Sequence, residues 1–132
     1  MYISRIAIIL AHAFAGWALC AATMGAGMSF LPLGTALIVH AIAAPIFFTI
    51  ISLIYFNKFH YTTPVLTASI FVGFVILVDF FVVALLINKS LDMFASPIGT
   101  WIPFALIFLS TCLTGLFVQN RIVSTVIKGE QK

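Results

Sequence analysis

The chain has 132 residues, of which 64% are hydrophobic and only 7% are charged. Soluble domains carry roughly 25% charged residues, and a domain of this length leaves too much surface exposed to hide so much apolar material from water. The net charge of +3 is spread thinly, without the basic cluster and interleaved aromatics that a nucleic-acid binder needs, so no nucleic-acid partner is expected and the expected solvent is a lipid bilayer.

About 20 helical residues cross a bilayer, and four apolar runs reach that length. The first covers residues 4–24 and is rich in Ala and Gly. It is too long for the apolar core of a signal peptide. Leu19 is also too bulky for the position before Cys20 in a lipoprotein cleavage box, so the run is expected to stay in the protein. Gly25, Gly27, Pro32 and Gly34 mark the first connector. The second run covers residues 33–56. Pro45 in its middle removes the hydrogen bond to the Ala41 carbonyl and is expected to kink the helix. A short connector from Asn57 to Thr63 leads to Pro64, which suits the first turn of a helix.

The third run, residues 64–87, is almost wholly apolar, but carries Asp79. A third connector, Asn88 to Pro97, precedes the fourth run at residues 98–119. Asn88-Lys89-Ser90 is formally a glycosylation sequon, but it lies too close to the membrane to make a good acceptor. Backbone in lipid must satisfy its own hydrogen bonds, so these runs are helices. The fold expected is an all-α, four-helix transmembrane bundle in one domain, residues 1–132. Connectors this short make neighbouring helices antiparallel.

Orientation follows from the basic residues. Arg5, Lys58, Arg121, Lys128 and Lys132 fall on one side, Lys89 alone on the other. Both termini are therefore expected in the cytoplasm, in a bacterial or archaeal cell membrane. Tyr2, Tyr55, Phe59 and Tyr61 fit an aromatic belt on the cytoplasmic side, and Phe30, Phe94 and Trp101 one on the other side.

Ionisable and polar residues within the spans are the candidates for function. Counting 1.5 Å per helical residue from the cytoplasmic ends puts Asp79 at about 22 Å, His40 at about 20–24 Å, Trp17 at about 18 Å and Cys20 at about 22 Å. His12, at about 10 Å, and Thr111, at about 12 Å, form a second level. An Asp79–His40 pair could relay a proton, hold a cation or act as general acid and base. In a structural role, Asp79 would instead bond the Trp17 or His40 N–H and fix helix packing. His12 is expected to bond a hydroxyl or carbonyl. His60 is expected to be solvated. Thr100, Thr111, Thr114 and Gly115 lie roughly along one stripe of the last span, where threonines often bond their own i−4 carbonyls.

No cofactor is expected. Haem or a metal bound through His40 or His12 is disfavoured, because the two differ by roughly 10 Å in depth and no helix carries paired ligands. Cys20 and Cys112 lie in apolar runs and indicate no disulfide framework. There is no phosphate loop, nucleophile elbow or carboxylate pair; Asp92 and Glu130 fall in a connector and the tail. The leading expectation is a small transporter or channel-like protein, with Asp79, His40, Trp17, His12 and Thr111 as its polar site. It would act as a homo-oligomer or beside a larger membrane partner. The alternatives are an intramembrane enzyme acting on a lipid or apolar substrate, and a structural or accessory subunit.

Overall fold

The computed structural model describes residues 2–59, 61–87, 89–90, 95 and 97–131. The readings above that concern His60, Asn88, Asp92, Phe94 and Lys132 lie outside those residues. The described protein is all-helical, and four of its helices are long and apolar enough to cross a membrane.

Helix α1 runs Tyr2–Phe30. It outlasts the expected span because Gly25 and Gly27 stay helical. Ser29 Oγ donates to the Gly25 carbonyl at 3.0 Å, and the Leu31 N–H donates to the Gly27 carbonyl at 2.8 Å. The break comes at Pro32, which lacks an N–H and sits at φ −58°, ψ 150°. Gly27 therefore serves packing rather than turning: a Cβ there would stand 3.3 Å from Ala36 Cβ on the next helix.

Helix α2 runs Leu33–Lys58 and continues through Pro45. Helix α3 runs Pro64–Val78. Thr63 caps it, accepting from the Leu66 N–H at 3.3 Å, with Pro64 placed where no N–H is needed. At Asp79 the chain changes winding: Asp79–Ile87 is a π-helix, so this span is α-helical in one half and π-helical in the other. Lys89, at φ 53°, takes the left-handed conformation beyond it. A short π-helical turn, Pro97–Trp101, leads into α4, Ile102–Glu130. Helix α4 also outlasts its expected span, and the residues past Val118 are exposed.

Around the bundle the helices follow the order α1, α2, α4, α3. Helices α2 and α3 are consecutive in the chain yet stand across the diagonal. Chain direction alternates as the short connectors require, but the packed neighbours are not all antiparallel: α1 with α3, and α2 with α4, run parallel. At the end shared by both chain termini, His12, Tyr55, Phe56, Pro64 and Gly115 come together. We call this the termini end.

Aromatic rings from the diagonal helices fill the bundle centre. The Phe71 ring of α3 lies 5.8 Å from Phe48 and 6.1 Å from Tyr55 of α2, centroid to centroid. All three side chains are fully buried. Tyr55 was expected in an interfacial belt; it is instead a hub of the core, fully buried, with its hydroxyl bonded to the half-buried Thr62. The outer faces show the reverse pattern. Ile42, Leu77, Leu113 and Phe117 are each more than half exposed, an apolar surface suited to lipid and not to water.

Candidate functional site

Asp79 is the acid of the apolar third span, and its place follows from two helices. Its backbone N–H is shared between the Val75 and Ile76 carbonyls, and the π-helical stretch begins at this residue. Such π insertions recur at functional sites. From α1, Trp17 reaches across and donates its indole Nε1–H to Asp79 Oδ1 at 2.8 Å. Both residues are half-buried. Cys20, one turn along α1, is buried, and its thiol lies within electrostatic reach of the Asp79 carboxylate. Trp17, Cys20 and Asp79 thus form one polar stratum across the α1–α3 contact.

His40 is not the hydrogen-bonded partner of that carboxyl in the described structure. Its Nδ1 is buried and has no hydrogen-bond partner. His12 lies elsewhere. Its Nδ1 is 2.7 Å from the Ile8 carbonyl of its own helix, and its ring meets Tyr55 and Phe59 edge-on at 5.6 and 5.4 Å. Tyr55 is fifteen residues along α2 from His40, about 22 Å of helix, so the two histidines stand at different levels. Among the described residues, no three His, Cys, Asp or Glu side chains gather as a metal would require.

A second polar stratum lies toward the termini end. Tyr55 Oη is 2.8 Å from Thr62 Oγ1, Thr62 Oγ1 is hydrogen-bonded to Thr67 Oγ1, and Thr67 Oγ1 donates to the Thr63 carbonyl at 2.9 Å. Tyr55 and Thr67 are fully buried. This chain of hydroxyls was missed in the sequence. Tyr55 read as an interfacial aromatic, and Thr62 and Thr67 as connector and helix-start residues. The signal that could have found them is the density of hydroxyls in Tyr61-Thr62-Thr63 and Thr67, close to the end of a span that holds Ser52 and Tyr55.

Thr100, Thr111, Thr114 and Gly115 of the last span are all buried. Thr114 Oγ1 donates to its i−4 carbonyl, that of Ser110, at 2.6 Å. Thr111 does not follow suit. Its Oγ1, like Ser52 Oγ on α2, is buried without a partner, and both residues are 0% exposed. At the surface of the termini end, a groove of about 250 Å³ is lined by Asn57, Val118, Arg121, Ile122, Thr125 and Val126, away from Asp79.

Comparison with protein-family models, with curated proteins and with solved structures finds no match.

Proposed function

We propose that the protein is a small integral membrane transporter or channel-like protein, with both termini cytoplasmic, in which Asp79 takes up and releases a proton. The observation that carries this reading is the 2.8 Å bond from Trp17 Nε1 to Asp79 Oδ1. Indole is a donor only. It can bond Oδ1 whether the carboxyl is ionised or carries its proton on the other oxygen. A Lys or Arg partner would hold the group ionised; Trp17 supports both forms. An ionisable group within a span, held by a partner that tolerates its neutral and charged states, has the requirements of a proton carrier. The exposed apolar outer faces are consistent with a homo-oligomer or a seat beside a larger membrane partner.

The same hydrogen bond supports a second reading, in which Asp79 and Trp17 merely clamp α1 to α3. One experiment separates the two. Asn at position 79 can still accept from Trp17 through its amide oxygen, but it cannot carry a proton. Asp79→Asn in proteoliposomes with an internal pH dye should abolish proton-linked flux while leaving the folded protein intact. Flux unchanged from wild type would sink the carrier reading and leave the clamp.

A further inference from the structure

Ser52 and Thr111 are fully buried, and neither hydroxyl has a hydrogen-bond partner. Leaving a buried hydroxyl unpaired is costly. Both residues had an easy escape, since a Ser or Thr on a helix can donate to its i−4 carbonyl. Thr23, Thr49, Ser69, Thr114 and Thr125 all do so. A count along both helices from one α2–α4 contact puts these two at the same level. Phe56 of α2 packs on Gly115 of α4, a Cβ on that glycine standing 2.7 Å from Phe56 Cζ. The two helices are parallel, so one turn back along each pairs Ser52 with Thr111. The next turns pair Phe48 with Ile107, and Ala44 with Pro103, and all of these residues are buried. Close by are the linked hydroxyls of Tyr55, Thr62 and Thr67.

An apolar barrier separates this stratum from Asp79. Asp79 lies eight residues beyond Phe71, about 12 Å along the helix. Between the two levels stand Phe48, Phe71 and Val75, all buried. The Phe48 ring is seated over Gly16, where a Cβ would come within 2.6 Å of Cζ. The bundle thus holds two polar strata with one aromatic pair between them.

We propose that Ser52 and Thr111 form a second station of the same pathway, binding the water that carries the proton between Asp79 and the termini end, with the Phe48–Phe71 pair as its gate. The proposal rests on the reading of Asp79 as a proton carrier. In the step it describes, the Asp79 O–H bond breaks and its proton goes to a water molecule. The carboxylate left behind keeps its bond from Trp17. The excess proton then passes along water hydrogen-bonded to the Ser52 and Thr111 hydroxyls, each of which can accept and donate, and leaves to the aqueous phase beside Tyr55 and Thr62.

The test uses full-length protein in vesicles, with a potassium-diffusion potential driving proton uptake. Thr111→Val and Ser52→Ala should each lower the flux at least ten-fold. They should also leave a folded protein, with a melting temperature in detergent close to that of wild type. Thr111→Ser, which keeps the hydroxyl, should restore the flux. Phe48→Leu, a smaller gate, should raise proton entry. If Asp79→Asn abolishes flux while Thr111→Val and Ser52→Ala, singly and together, leave it at the wild-type level, the second station is wrong and the role of Asp79 stands. If Asp79→Asn conducts like wild type, or wild type itself conducts no protons, both fall. A loss of flux in Thr111→Val that Thr111→Ser does not rescue also overturns the station.

Discussion

Gly115 and Pro64 meet so closely that a Cβ on the glycine would stand 2.7 Å from the Cβ of the proline. The same Cβ would also be 2.7 Å from Phe56 Cζ. A proline ring cannot swing aside, so Gly115→Ala must push α4 away from the start of α3. Overpacking of this kind costs about 1–3 kcal/mol. Gly16→Ala meets only the far end of the Phe48 ring, at 2.6 Å, and a ring can tilt. Thermal unfolding in detergent micelles should therefore rank Gly115→Ala below Gly16→Ala, and both below wild type. The reverse order would mean that Pro64 yields more readily than Phe48.

Trp17 and Trp101 provide a matched pair of substitutions. Trp17→Phe keeps an aromatic ring but removes the donor to Asp79, leaving a half-buried carboxyl without it; the expected loss is about 1–3 kcal/mol. Trp101 is 52% exposed, and Trp101→Phe should cost less. Denaturant titrations of the two variants check the difference. Equal losses would show that the indole bond adds nothing to stability.

Tyr55→Phe removes one hydroxyl from the Tyr55–Thr62–Thr67 chain and keeps the ring that packs on Phe71. The expected cost is about 0.5–1.5 kcal/mol. Tyr55→Ala removes the ring from a fully buried site and should cost about 3–5 kcal/mol, the range for large aromatic truncations. Unfolding midpoints of the two variants should differ accordingly. If Phe is as harmful as Ala, the hydroxyl rather than the ring holds the core.

Thr63 caps α3 and also lends its carbonyl to Thr67 Oγ1. Thr63→Ala should cost about 0.5–2 kcal/mol, and Thr63→Ser, which keeps the capping oxygen, should recover most of it. Hydrogen exchange at the first turn of α3 reads this locally: faster in the alanine variant, near wild type in the serine variant. Equal exchange in all three would remove Thr63 as the cap.

The four apolar helices were legible because composition and run length decide them, and Pro64 announced the start of α3. The ends of α1 and α4 were not. Gly25 and Gly27 look like turn residues, yet in a chain where packing draws helices together a glycine can be chosen for closeness, as Gly27 against Ala36 shows. The π winding from Asp79 onward left no mark in a run of Phe, Val and Leu. Depth counting brought Trp17, Cys20 and Asp79 to a common level but could not choose between Trp17 and His40 as partner. That choice depends on which helices are adjacent, and α3 packs beside α1 while standing diagonal to α2. Tyr55 was misread for a related reason: nearness to the end of a span does not say which way a side chain faces.

The diagonal placement of α2 and α3 also bears on biosynthesis. A nascent chain emerging in sequence can close the α1–α2 hairpin at once, since those helices lie side by side. The third helix gains no such flank from the segment just before it. Its side contact is with α1, through Trp17 and Asp79, and it meets α2 only across the bundle centre, through Phe71 on Phe48 and Tyr55, until α4 arrives to cover its other side. Helix α4 is thus the one that locks the bundle. Nascent chains arrested after Leu86 should hold a protease-resistant hairpin and a loosely held third segment, with compactness gained in one step when α4 is added.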